Sequence, residues 1–150
     1  MRVKELYNEK VFPELKSYIE TNSIYSPKIV KIYTEQSKYF PIVTVQLVRE
    51  RQIFNNLTWG EKTYPFRIDI NVYSDDKTVN NTKVSKIVIT DEIAGLVEGY
   101  FNNNYKISIS RQDDMANIDG NIRRDFIRVE GILDTKWGED DLTIYPASNY

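Results

Sequence analysis

Tyr105-Lys-Ile-Ser-Ile-Ser-Arg111 and Asp125-Phe-Ile-Arg-Val-Glu-Gly-Ile-Leu133 flank the polar run Asp113-Asp-Met-Ala-Asn-Ile-Asp-Gly-Asn121. Apolar and polar side chains alternate in both flanks, and a period of two marks a strand with one buried and one wet face. Two such strands around a polar segment read as a hairpin with a long, structured connection. Just upstream, Val84, Ile87, Val88, Ile93, Leu96, Val97, Tyr100 and Phe101 recur at helical spacing, which predicts an amphipathic helix that Asn102-Asn-Asn104 ends. About eighteen such residues would run about 27 Å, enough to cross a sheet. Gly95 and Gly99 sit four apart in that helix. Each costs roughly 1 kcal/mol against Ala, so a compensating close approach is expected, either to the sheet or to a neighbouring subunit.

Working towards the N-terminus, Tyr64–Ser74 alternates cleanly: Phe66, Ile68, Ile70 and Val72 against Arg67, Asp69, Asn71 and Tyr73. Ile42–Glu50 and Lys28–Thr34 are two further candidate strands. Val3, Leu6, Tyr7, Val11, Leu15, Tyr18 and Ile19 have helical spacing, interrupted by Pro13. Proline fits the first position of a helix, so a helix over Glu14–Thr21 is predicted, with an upstream turn or helix kinked against it. Asp75–Thr82 is turn-rich and supplies the next helix start. Trp137 and Gly138 lead into the acidic Glu139-Asp-Asp141, and about residues 139–150 are expected as an arm with few contacts of its own. The order is α-β-β-β-α-β-β. It predicts one α+β domain over residues 1–150, a mainly antiparallel four- to five-stranded sheet with two helices packed on one face.

A chain of 150 residues is long enough to bury a core without disulfide or metal staples. It has no cysteine and no histidine. That removes thiol nucleophiles, zinc thiolate sites, the commonest general base and any Ser-His-Asp triad. The net charge of −2 gives no long-range attraction to a phosphate backbone. No apolar run approaches the ~20 residues of a membrane span, and the charged Met1–Glu9 segment lacks a signal-peptide core. The expected site is therefore inside a cell, and Asn56-Leu-Thr58 and Asn80-Asn-Thr82 are read as chance sequons. Eleven tyrosines suit either interfaces or ordinary strands.

No phosphate-cradling glycine loop is present, and Asn117-Ile-Asp119-Gly120 fails as a calcium loop because Phe126 falls where the bidentate Glu belongs. The pairs Asp75-Asp76, Asp113-Asp114 and Asp140-Asp141 read as solvated turn acids. No cofactor, metal or catalytic residue is expected. Arg123 and Arg124, with Arg111 and Arg128, form a basic cluster that either touches an anionic partner group or pairs with Glu130 and Asp125. The connection Arg51–Thr63 carries Phe54, Leu57 and Trp59, too apolar for a solvated loop. Either it folds back on the core or it docks onto another chain, with Trp59 as the natural anchor.

Around Asn117-Ile-Asp-Gly-Asn-Ile-Arg-Arg-Asp-Phe-Ile-Arg-Val-Glu-Gly131 the chain resembles the tail-terminator (tail-completion) proteins of long-tailed bacteriophages. The likeness lies in a helix, a strand, an Asn-Ile-Asp-like turn at Asn117, Ile118 and Asp119, and a strand with Arg123 and Arg124 near its start. As element order it spans roughly residues 29–133. The resemblance implies a structural virion protein, with no enzymatic activity. Its homo-oligomeric ring, commonly a hexamer, would cap the tail tube, stop tube polymerisation and present a joining surface to the head-tail connector. Its partners would be the tube protein and the connector, with DNA only as passing cargo in the lumen and no membrane. It would be assembled in the host cytoplasm and sit at the head-proximal end of the virion tail. A head-to-tail ring needs two different patches per subunit. The candidate interface residues are Phe54, Leu57, Trp59, Arg123, Arg124 and Tyr145. The competing expectations are another neck or tail-tube component, and a small binding domain or enzyme using the polar face with Arg67, Asp69, Arg124 and Arg128.

Overall fold

A computed structural model describes residues 2–32, 40–50, 54–56, 61–115, 120–135 and 142–146 of the chain, with the side chains of residues 3–32, 40–48, 64–115 and 120–133. The N-terminal helical segment runs through α1 (Arg2–Leu6), one π-helical turn (Tyr7–Val11) and α2 (Phe12–Asn22). The Phe12 N–H donates to the Tyr7 carbonyl, five residues back. Pro13 follows at the start of α2. Proline has no N–H to give to a preceding turn, and the wider turn carries the chain past it. The expected kink is thus a π turn within a continuous helical run.

Three strands follow: β1 (Lys28–Val30), β2 (Ile42–Glu50) and β3 (Phe54–Asn56). The long β4 (Glu61–Ser74) comes next, and then a two-stranded ribbon, β5 (Lys77–Val79) and β6 (Thr82–Val84). Helix α3 (Lys86–Asn104) leads to β7 (Ser108–Met115), β8 (Arg123–Thr135) and β9 (Leu142–Pro146). The fold class is α+β, as expected. The main sheet runs β1-β2-β4-β8-β7. Its spine is the antiparallel β4–β8 ladder, from Lys62 opposite Thr135 to Ser74 opposite Arg123. On one side β2 and then β3 pair with successive parts of β4; on the other, β7 and then β9 pair with successive parts of β8. The β1–β2 pair alone is parallel among the described strands.

Three expectations need correction. Leu142–Pro146, expected within a loose arm, is hydrogen-bonded along β8. Asp75–Thr82, expected as turn, contains the β5–β6 ribbon. Its loop residues Asn80 and Asn81 have φ of 53° and 64°, the left-handed pair that a two-residue hairpin demands and that Asn tolerates. In α3 the buried stripe is Ile89, Ile93, Ala94, Val97, Tyr100 and Phe101, while Ile87 and Val88 are 54% and 44% exposed. Each residue turns a helix by about 100°, so residues one and two places before Ile89 rotate off the stripe.

Helix α3 is capped at both ends. Ser85 Oγ accepts the Ile87 N–H, and Asp76 Oδ1 accepts the Lys86 N–H at 2.9 Å, so two of the orphan donors of α3 are satisfied. At the other end Asn104 Nδ2 donates to the Tyr100 carbonyl.

The core lies between the helices and one sheet face. Val43 and Val45 of β2, Ile68, Ile70 and Val72 of β4, and Ile127 and Val129 of β8 meet Leu15, Ile19, Ile89, Ile93 and Val97. Fully burying one such side chain contributes about 1.5–3 kcal/mol. Gly99 lies against Tyr18 Oη of α2 at 3.6 Å, and a Cβ on Gly95 would meet nothing within 4 Å. Neither glycine serves a close approach to the sheet, so that expectation is overturned. The glycine that packing does require is Gly131, where a Cβ would stand 2.9 Å from Phe66 Cζ.

Candidate functional site

Strand alternation splits the arginines of β7 and β8 into two groups. Arg111 lies opposite Ile127, and Asp125 lies opposite Val72, so both belong to the helix-covered face. Asp125 is fully buried. Its Oδ2 accepts from Arg111 Nη2 at 3.3 Å, while Oδ1 accepts from Arg123 Nε at 3.2 Å and from the Asp114 N–H at 3.0 Å. Asp114 adopts φ 53°, where the register of β7 shifts against β8. Arg111 also reaches Asp91 at 2.8 Å and Glu98 at 3.4 Å on α3, and Asp113 at 2.7 Å. Burial alone acts to lower the Arg111 pKa; the hydrogen bond to Asp91 and the charges of Asp113 and Glu98 outweigh it and hold the guanidinium above its ordinary value. The network ties α3, β7 and β8 together. Both Asp125 oxygens accept hydrogen bonds, so the carboxylate holds Arg111, Arg123 and the Asp114 backbone together.

The opposite face of the sheet carries Arg67, Asp69, Asn71, Arg124, Phe126 and Arg128. Asp69 accepts from Arg67 at 3.2 Å and from Arg128 at 3.3 Å. Arg124 Nε donates to Asn71 Oδ1 at 2.7 Å, and its guanidinium stands 5.9 Å from the Tyr73 ring centre. Arg128 stands 5.2 Å over Phe126. Beside β7, Asp69, Arg124, Phe126 and Arg128 border an open groove of about 460 Å³ that Ser110, Arg111, Gln112 and Met115 complete. At one end the face is closed by a small cluster of Ile42, Tyr73 and Ile122, with Val30 and Phe40 against it.

The predicted basic cluster is therefore divided. Arg123 joins Arg111 on the helix side, and Arg124 joins Arg128 on the open side, since neighbours along a strand point to opposite faces. Arg128 pairs with Asp69, not with Glu130. Sequence reasoning missed Asp91 and Glu98 of α3 and Asn71 of β4. The first two are readable only from the rotational phase of α3 against the sheet, the third from the diagonal register of β4 and β8. Of the other candidates, the backbones of Phe54 and Tyr145 lie in β3 and β9, and their side chains lie outside the described ones. Leu57 and Trp59 lie outside the described residues.

An apolar cleft beneath α1, lined by Val3, Tyr7, Phe66, Tyr105 and Ile107 among others, has a volume of about 10 Å³, room for about one water. Among the described residues no three His, Cys, Asp or Glu side chains gather to hold a metal ion, and no helix is long and apolar enough to cross a membrane. No protein-family model matches this chain, and no curated protein is similar to it.

Proposed function

We propose that this chain is a structural assembly protein of a long-tailed bacteriophage, a tail terminator that forms a ring on the end of the tail tube, stops its growth and offers the head connector a joining surface. The motif at Asn117–Asp119 and Arg123-Arg124 supports the family, and the half-covered sheet supports assembly. That sheet is the observation that carries the reading: its helices lie on one face, while on the other Asp69, Arg124 and Arg128 border an open groove. A sheet is normally covered on the face it does not give to water. The working mechanism is templated binding without bond chemistry. A near-neutral subunit would let DNA pass without holding it. Phe54, Leu57, Trp59 and Tyr145 remain candidate contacts to the tube or to neighbouring subunits.

Light scattering and sedimentation of the purified chain, alone and with tube protein, test this. The expected result is a ring, or assembly that grows with concentration and on tube ends. A strict monomer under both conditions would rule the terminator out. The open groove favours a second reading, a small binding domain or enzyme. A thermal shift of several degrees with a nucleotide or divalent cation would favour that rival; a flat screen is expected.

A further inference from the structure

We propose that the open face of the sheet is the seat for the outer face of α3 of a second copy of this chain. The inference rests on the ring reading and specifies its contact. Val88, Asp91 and Gly95 follow at three- and four-residue spacing, so they share one face of α3, and that face is turned away from the core. Val88 is 44% exposed, its neighbour Ile87 54%, and the Asp91 side chain 68%. Between Lys86 and Lys106 the chain carries Asp91, Glu92 and Glu98 and no basic residue. Asp91 and Glu98 lean on Arg111 and Glu92 on the Tyr25 hydroxyl, yet the surface stays acidic.

The groove has the complementary sign. Its lining holds Arg111, Arg124 and Arg128 with one acid, Asp69; further along the same face Arg67, which also pairs with Asp69, lies opposite Glu130. Opposite charges on two different patches specify a head-to-tail contact, because neither patch is complementary to itself. Gly95 supplies the independent geometric argument. Its missing side chain serves no contact inside the subunit, although glycine weakens a helix interior. On a docking face it lets another surface come close to the helix backbone. The layers agree as well: a sheet covered on one side by its own helices gains its second cover from the helices of the next subunit.

Sedimentation velocity on wild type, Gly95→Trp and Gln112→Trp tests the contact. The first puts a bulky side chain on the helix face at an exposed position where an added Cβ meets nothing within 4 Å; the second fills the groove at an exposed position and leaves its ion pairs in place. Arg128→Glu serves as a second groove variant, and circular dichroism checks that each variant folds. Each variant alone is expected to associate at least tenfold more weakly than wild type. An equimolar mixture of Gly95→Trp and Gln112→Trp is expected to give a one-to-one dimer and nothing larger, since one intact patch remains on each. If wild type assembles and the variants assemble equally well, or the mixture stays monomeric, this contact is wrong while the ring reading stands. A wild-type chain that never associates, with or without tube protein, removes both.

Discussion

Arg111 holds Asp125 from across two strands: Nη2 of the one lies 3.3 Å from Oδ2 of the other, and the Asp125 side chain has no solvent exposure. Removing one partner of a buried pair strands the other, which costs more than the pair contributes. Asp125→Ala also leaves Arg123 Nε and the Asp114 N–H without their acceptor. The expected loss is about 3 kcal/mol, the low end for a broken buried pair, because Arg111 keeps 22% of its side chain in solvent. Chemical denaturation measures it; a loss below about 0.5 kcal/mol, the range of ordinary surface changes, would show that the network is ornamental.

Gly131 faces a different constraint. Its Cβ would meet Phe66 Cζ at 2.9 Å and Ile107 Cγ2 at 3.1 Å. Gly131→Ala is expected to cost about 1–3 kcal/mol as overpacking. Adding Phe66→Leu to that variant should recover part of the loss. If the double substitution is simply additive, the clash is not the cause.

Gly95→Ala should have the opposite sign. Nothing lies within 4 Å of the added carbon, so only the helix-propensity gain of about 1 kcal/mol remains. That corresponds to a rise in Tm of about 2–4 °C for a domain of this size. Calorimetry below the concentration of self-association isolates the subunit effect.

Alkaline pH should unfold the protein through its tyrosines. Burial pushes Tyr7 up to about 12, and burial with help from Glu92 pushes Tyr25 up to about 12, from an ordinary value of 10.0. Burial also raises Tyr100 and Tyr105, which share a hydroxyl contact at 3.4 Å. Below pH 10 both the folded and unfolded chains keep these protons, and the contribution to stability is complete. Between about pH 10 and 12 the unfolded chain releases protons that the folded chain retains, so stability falls as pH rises. Tm against pH should bend downward from pH 10, and phenolate absorbance should show a late-titrating class. A flat Tm to pH 12 would contradict it.

Hairpin chemistry gives a local test. Asn81 holds φ 64°. Asn81→Gly should be tolerated or mildly stabilising, whereas Asn81→Val forces a branched residue into the left-handed region at a cost of about 1–2 kcal/mol. Thermal melts of the two variants separate the effects.

The central sheet was legible because its two faces differ. Ile42–Glu50 has the expected bounds, and Phe66, Ile68, Ile70 and Val72 of β4 are buried as its alternation selects, while Tyr73, read onto the polar face, is buried there in the small cluster with Ile42 and Ile122. Segments whose order comes from distant partners were not legible. The three residues of β3 and the five of β9 take their order from pairing with β4 and β8, and three residues are too few to display a period. Asn80-Asn81 read as a turn, but strands as short as Lys77–Val79 carry no pattern of their own. For the candidate site, Asp125 was visible as a partner for arginine. Which arginine it takes follows from strand parity. The share contributed by Asp91 and Glu98 depends on how α3 is rotated over the sheet, a tertiary property.

The β4–β8 spine also governs how fast the chain can find its shape. Even its nearest pair, Ser74 with Arg123, cannot meet until the ribbon, all of α3 and β7 have been gathered between them. Closing so large a loop costs entropy before the ladder returns anything. Helix α3 and the β5–β6 ribbon can form in microseconds from neighbouring residues, whereas the spine should set a refolding time of milliseconds to seconds. During that interval the apolar sides of β4 and β8 are uncovered, so refolding yield should fall as protein concentration rises.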